Sequence, residues 1–404
     1  MSFSTKKTMM KISYIALLVL VSVSGFAQNR ILSINDAMDL STINHPQIKI
    51  NFAEIDRERS LLPSAYQFNN TELIFEAPTG TVLRPGFLQS FDFPSVYGLK
   101  RKYLSNQIEI AEASTEITVN YLHYRVRMTC NDLLYYTELS QQYRKQDSVL
   151  SDLLRVSQIR FDVGQISYIE KINAESQYRK LQYRVFQAQA ELIKARNSLA
   201  FLIGSPNDTA ITISDKFGRN PHNIGLLAFD TIFPQNPLTF YNREVIQSAQ
   251  FQLKLQKAAR VPGLILGYLN QGQDNTDLVY QLRFGISIPF SQWLNPSKIR
   301  AAEKELEVAE KKAVYTQYTL SSDLQQALNS YAQFSEALKY FENYGLEQSN
   351  QILAAARESY RLGSINYYNY LLNIQQAFDI QVSYLDALRN FNQAIINLQY
   401  INAQ

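Results

Sequence analysis

The sequence predicts a mainly α-helical chain that carries four β-strands and consists of two copies of one unit. Three observations support this. First, two long stretches lack proline, one between Pro94 and Pro206 and one after Pro296. Second, each stretch is poor in glycine (Gly164 alone between Gly98 and Gly204, Gly345 and Gly363 after Pro296) and contains a related pattern around one, Phe161-Asp162-Val163-Gly164-Gln165-Ile166-Ser167-Tyr168 and Tyr360-Arg361-Leu362-Gly363-Ser364-Ile365-Asn366-Tyr367. Third, a pair of β-favouring runs precedes each stretch. Glycine tolerates the left-handed conformation that ends a helix, so the glycine of each pattern reads as the turn of a helical hairpin. Two such hairpins about 200 residues apart read as a duplication.

Residues 1–27 read as a secretory signal peptide. Lys6, Lys7 and Lys11 precede an apolar run from Ile12 to Val23, and Gly25 and Ala27 stand at plausible cleavage positions. The run is too short and wrongly flanked for a membrane anchor. The mature chain is expected to begin near Gln28, and no cysteine at that junction would take a lipid. Cys130 is the single cysteine, so no intrachain disulfide is expected, and its place in a helical pattern suits a packed side chain.

The first repeat is assigned to 28–206. A helical pattern opens at Leu32-Ser33-Ile34-Asn35-Asp36-Ala37, breaks at Asn44-His45-Pro46, and resumes to Leu61-Leu62-Pro63. Thr71 to Ala77 and Phe87 to Phe93 read as strands around a Pro/Gly-rich turn, Pro78-Thr79-Gly80 through Pro85-Gly86. A helix from about Leu99 to Asp162 follows, roughly 60 residues or about 90–100 Å long at ~1.5 Å per residue. Gly164 turns it, and its partner runs from about Tyr168 to Leu202, stopped by Ile203-Gly204-Ser205-Pro206. Residues 207–235 read as a connector.

The order then recurs over 236–404. Asn236-Pro237 echoes His45-Pro46, and Val261-Pro262 echoes Leu62-Pro63. Leu264 to Leu269 and Tyr280 to Ile288 read as strands, joined by a polar loop. A long helix starts near Ser297, where Ile299, Ala302, Leu306, Ala309 and Ala313 keep a heptad spacing with small residues that allow close helix approach. It turns at Gly363, and the last helix ends near Ile401.

Composition excludes several classes. The formal charge is +3, which gives no basic face for nucleic acid. Mean hydropathy is −0.22, too low for a multi-span helical membrane protein. The 26 tyrosines and 22 phenylalanines suit polar channels, membrane interfaces or partner contacts. His45, His123 and His222 lie far apart without metal-ligand spacing, and there is no GxSxG, P-loop or HExxH pattern. The run Glu303-Lys304-Glu305-Leu306-Glu307 reads as a solvated helix face. Neither an enzyme nor a bound cofactor or metal is expected.

Strand count makes one chain incomplete. Strands in a bilayer must close into a barrel, because no water satisfies an open edge. Familiar barrels begin at about eight strands. Two chains would supply eight and three would supply twelve. The long hairpins likewise bury an apolar stripe only against neighbouring hairpins. Both arguments call for a cyclic oligomer with a hollow axis.

In order and spacing these landmarks resemble the TolC family of bacterial outer-membrane efflux proteins, across essentially the whole chain from Leu32 to Ile401. The matching residues are Leu32-Ser33-Ile34-Asn35-Asp36-Ala37 with Asn44-His45-Pro46, Leu61-Leu62-Pro63, the duplicated strand pair and the two glycine motifs. The resemblance implies a homotrimer in the outer membrane, with a twelve-stranded barrel in lipid and an α-helical tunnel across the periplasm. It implies that residues 207–235 form an equatorial connector. The implied partners are a periplasmic membrane-fusion adaptor and an inner-membrane pump, of the resistance-nodulation-division type rather than the ATP-binding cassette type. The function implied is a passive exit duct for drug or metal-ion efflux. Type I protein secretion is the alternative, and an exported structural coiled coil is a more distant one.

The resemblance also assigns sites. Arg160, Phe161, Val163, Gly164 and Ser167, with Tyr360, Leu362, Gly363 and Asn366, map to the adaptor-docking tips. The same residues could instead only cap their own hairpins. Glu170, Tyr360, Tyr367 and Asn369 map to a periplasmic gate. Relatives carry an acid where this chain has Asn369, and often an arginine where it has Ile365, so the gate here departs from the family pattern.

Overall fold

The computed structural model describes residues 30–77, 83–206, 211–220, 236–270 and 280–403. The signal peptide, the turn's start at Pro78-Thr79-Gly80 and most of the 207–235 connector lie outside these residues; Pro85 and Gly86, expected in that turn, instead pair with Phe75 and Ile74 in a strand over Arg84–Phe91. The chain divides into two compact units. One comprises Met1–Asn44, Arg125–Gly218 and Tyr340–Arg389; the other comprises His45–Tyr124, Arg219–Lys339 and Asn390–Gln404.

The element order is β1 (Arg30–Leu32), α1 (Ile34–Asn44), α2 (Pro46–Leu61), β2 (Glu72–Glu76), β3 (Arg84–Phe91), α3 (Pro94–Asp162), α4 (Tyr168–Leu202) and β4 (Ile211–Ile213). It continues with α5 (Pro237–Ala258), β5 (Gly263–Asn270), β6 (Tyr280–Ser287), α6 (Phe290–Leu294) and α7 (Ser297–Tyr340). A π-helical segment, Phe341–Gly345, leads into α8 (Leu346–Arg361) and α9 (Tyr367–Ile401). The order helix, strand, strand, long helix from α2 to α3 recurs from α5 to α7, while β1, α1, β4, α6 and the π-helical segment have no counterpart in the other half.

Matching caps explain the matching boundaries. α2 and α5 both begin on proline, which fits the first helical position because its missing N–H has no partner there. The preceding residue accepts the next free N–H in each case. His45 Nδ1 takes Gln47 N at 3.2 Å, and Asn236 Oδ1 takes Leu238 N at 2.9 Å. Burial lowers the His45 pKa, which suits an imidazole that accepts a hydrogen bond. α3 starts at Pro94 rather than near Leu99, for the same proline reason. At the far ends, Gly204 (φ 71°) and Ala403 (φ 53°) each lie forty residues past their tip glycine and close the last turn of α4 and α9.

In the first unit, the two helical hairpins share one core. Leu150 and Leu153 of α3, Leu181 of α4, and Leu371, Ile374 and Phe378 of α9 are buried together. Ala174, Ala188 and Ala356 keep the backbones close. Polar pins set the register of α3 against α9. Arg389 pairs with Asp132 at 2.8 Å and lies over the Tyr135 ring, while Tyr135 donates to Asp386 and Gln142 to Gln381. β1 and β4 add a small parallel ladder, Arg30↔Ile211 to Leu32↔Ile213, beside α1. Three-residue strands carry no periodicity to read, so β1 is hidden before a helical pattern and β4 within the connector.

In the second unit, α2, α3 and α5 are tied by Asn51 to Thr118 (2.8 Å) and Asn106 to Glu244 (2.8 Å). Asn236 and Asn120 each donate to backbone carbonyls at the end of α9. Leu324 and Ala327 of α7 pack on Leu398 and Ile401 of α9. The buried Ala302 and Ala309 bear out the heptad reading of α7. This unit also holds one antiparallel sheet of four strands, in the order β2-β3-β5-β6.

Candidate functional site: the hairpin tips and the sheet

Both tips are built the same way. After α3, Gly164 has φ 73°; its N–H reaches Phe161 O at 2.9 Å, and Gln165 N reaches Arg160 O at 2.8 Å. After α8, Gly363 has φ 74°; its N–H reaches Tyr360 O at 3.1 Å, and Ser364 N reaches Ser359 O at 2.8 Å. These paired bonds close both helices as Schellman motifs, which require a residue that accepts positive φ. Two residues later the next helix is capped. Ser167 Oγ accepts from Glu170 N, and the Glu170 carboxylate accepts from Ser167 N at 2.9 Å, a complete capping box. In the second tip Asn366 Oδ1 accepts from Asn369 N at 2.9 Å.

Five candidate residues are thus committed to turning the chain: Gly164, Ser167, Glu170, Gly363 and Asn366. The Glu170 carboxylate faces its own helix start. Tyr367 is buried among Leu153, Leu371 and Ile374 and directs its hydroxyl to Leu153 O. Burial pushes its phenol up to about 12. Large apolar side chains also point outward at the turns, among the exposed polar residues Asp162, Gln165, Arg361 and Ser364. Val163 and Leu362, at equivalent positions of the two turns, are 63% and 66% exposed. Tyr168, Ile169 and Tyr368 beside them are also exposed.

Tyr360 joins the two hairpins. Its ring stacks on Tyr370 (4.5 Å, 1°), meets Tyr367 edge-on at 6.2 Å, and takes the Arg160 guanidinium at 5.3 Å from its centre. Its hydroxyl is buried and has no hydrogen-bond partner. Burial raises its pKa, partly offset by Arg160. In the first hairpin Phe161 packs against Tyr168 at 5.8 Å and under Lys171 at 4.9 Å. The structure therefore brings Arg160, Tyr360 and Tyr367 together, while Asn369 stays exposed at the start of α9.

The sheet has two different faces. Pairing places Leu73, Phe87, Tyr268 and Leu282 in one cross-strand row, Leu266 and Phe284 in the next with Gln89, and Phe91, Leu264 and Ile286 in a third. Alternation puts all three rows on one side. These rows are apolar apart from Gln89, and they are open: Leu73 is 75% exposed, Phe284 78% and Ile286 66%. The other side is mixed: it carries Glu72, Glu76, Arg84, Gln281 and Arg283 with Gly86, Gly267 and Gly285, and also Ile74, Leu88, Ile265 and Leu269. Arg283, on the last strand, pairs there with Glu76, on the first, at 3.2 Å through both nitrogens. This ion pair was not foreseen, because only the register shows that two lone charges on distant strands share a face. β2 and β6 are the edges of the described sheet. Among the described residues no helix is long and apolar enough to cross a membrane.

Three solved structures can be set beside this architecture. A membrane protein from Pseudomonas aeruginosa aligns with a TM-score of 0.78 at 14% identity, over 91% of this chain and 90% of that one. CusC, described in connection with transmembrane channel formation, aligns at 0.77 and 16%, over 92% of each chain. The CmeC outer membrane channel of Campylobacter jejuni aligns at 0.75 and 16%, over 93% of this chain and 85% of that one. No family model matches the sequence, and no curated protein matches it. The chain thus has the fold of the solved outer-membrane channels along nearly its whole length.

Proposed function

We propose that this chain is one subunit of an outer-membrane exit duct for efflux, of the TolC family, acting as a passive conduit and not as an enzyme. The carrying observation is the sheet: one exposed face of three apolar rows, an opposite face that holds the sheet's charged residues, and two open edges. An apolar face of this kind suits lipid, and open edges are intolerable there unless neighbours pair with them. Three copies would pool twelve strands and enclose the charge-bearing faces around a lumen. The shared fold with the CusC and CmeC channels supports the same reading.

The tips complete the proposal. The turns present Val163 and Leu362 outward from rigid Schellman geometry, a form suited to packing against another helical hairpin. That partner would be a periplasmic adaptor, which links the duct to an inner-membrane pump of the resistance-nodulation-division type. The Arg160–Tyr360–Tyr367 contact would hold the two hairpins together at the closed entrance. Purified protein reconstituted in planar bilayers should form a trimer that conducts ions in discrete steps. A monomer without conductance would overturn the duct. Val163→Glu with Leu362→Glu should abolish efflux, read as drug or metal sensitivity, with trimer and conductance intact. Undiminished efflux would remove the tips from docking.

A further inference from the structure

Resting on the membrane reading above, we infer that the short turn α6, with Lys298 and Arg300, is an interfacial anchor that seats on anionic phospholipid headgroups. The exposed apolar face of the sheet does not stop at the strand end. Its row Phe91–Leu264–Ile286 is followed by Ile288 (46% exposed), and then by Phe290 and Leu294, which are more exposed still, and the half-open Trp293. All lie at the end of the sheet from which the helices leave. A five-residue helix with three large apolar side chains in the open has no core to serve.

α6 is nevertheless held firmly. Arg260 donates to Trp293 O at 2.9 Å and to Gln292 O at 3.2 Å, which satisfies the carbonyls at the end of the turn. In return the Trp293 indole N–H donates to Arg260 O at 2.8 Å. Phe290 packs on Trp293 at 5.8 Å. Five side-chain and backbone groups thus fix a surface that exposes aromatic rings while their polar atoms are already satisfied. Amphipathic rings in this setting prefer the boundary between headgroups and acyl chains.

Charge selects the occupant. On this end of the sheet, residues 254–263 and 287–302 contain Lys254, Lys257, Arg260, Lys298 and Arg300 and no acidic residue; Asp92 after β3 and Glu303 are the acids that adjoin them. Lys257 is paired with Glu303 at 3.7 Å, but Lys298 and Arg300 are exposed, one turn beyond α6. Cations just past an apolar aromatic rim attract an anionic leaflet. The first repeat repeats the plan, with Phe68 and Phe93 exposed at the end of β3 and Arg101 and Lys102 exposed on the following helix. A protein partner would not require aromatic rim and cations to recur at the end of each strand pair.

Trp293 is the only tryptophan in the chain, so its fluorescence reports this site alone. The full-length mature protein would be reconstituted in phosphatidylcholine vesicles with and without phosphatidylglycerol, and insertion checked by ion conductance. The expected result is loss of iodide quenching, and stronger quenching by lipids brominated near the headgroup than by lipids brominated near the chain ends. Phosphatidylglycerol should shift the emission further to the blue, and K298Q/R300Q should remove that increment without loss of conductance. Iodide quenching that persists in conducting vesicles would overturn the anchor alone. Protection from iodide without quenching by brominated lipid would mean that protein covers α6, which also overturns it. Failure to insert or conduct at all would instead overturn the duct.

Discussion

At the scale of single residues, two glycines and two tyrosines decide the tip. Gly164 and Gly363 have positive φ, but a Cβ there would meet nothing within 4 Å. Gly204 has the same φ and a Cβ there would lie 2.7–2.9 Å from Asn44 atoms. Gly164→Ala should therefore cost only backbone strain, about 1–2 kcal/mol, and Gly204→Ala clearly more. Thermal unfolding of the two variants tests the order. Tyr360 carries a buried hydroxyl without a partner. Tyr360→Phe should be neutral or stabilise by up to about 1 kcal/mol, since it removes an uncompensated polar group and keeps the ring stack. Tyr367 is an acid whose pKa rises on folding, from 10.0 to about 12. Below pH 10 both states hold the proton and stability is unaffected. Above it the unfolded chain ionises first, so stability falls with rising pH until about 12, by an upper bound of roughly 2–3 kcal/mol. Tyr367→Phe should flatten that part of the alkaline unfolding curve.

At the scale of elements, caps and breaks matter more than helix propensity. The capping box at Ser167 serves α4, the outgoing helix of the first hairpin. Ser167→Ala should cost about 1 kcal/mol (range roughly 0.5–2), measured by denaturant unfolding, and the effect should be reproduced in part by Glu170→Gln. The duplicated hairpins were legible because tip glycines and helix-starting prolines punctuate otherwise unbroken periodicity. The π-helical segment Phe341–Gly345 was not legible. One extra residue in a helix of this length leaves the apolar pattern almost unchanged, and only the packing of the Phe341 ring against Gly345 marks it. α6 was hidden for a related reason: Phe290-Ser291-Gln292-Trp293-Leu294 is too short for a period, and reads equally as the end of a strand.

At the scale of the whole molecule, the two faces of the sheet set the functional reading. Phe284 and Gln281 lie on the same strand and on opposite faces. Phe284→Arg should cost about 2–4 kcal/mol in the membrane and reduce recovery of trimer from the outer-membrane fraction. Gln281→Arg should be tolerated there and instead alter ion selectivity. Equal effects of both would argue against a lipid-facing side. The site residues drawn from resemblance fared unevenly in geometric terms. Val163 and Leu362 stand free for a partner, while Ser167, Glu170 and Asn366 are occupied by the turns they cap, because a tight turn consumes the polar side chains nearest to it.

By itself the sequence determined the long helices, the two strand pairs and the position of both hairpin turns. Glycine and proline act through local backbone geometry, which needs no knowledge of neighbours. It also determined that four strands could not close alone, since that is a count. Tertiary structure alone decided which side of each strand is apolar as a sheet, that Arg283 meets Glu76, and that Arg260 clamps α6 with Trp293 open to the surroundings. These depend on register and on contacts between residues from about thirty to two hundred positions apart, and a one-residue slip in pairing would have reversed every face.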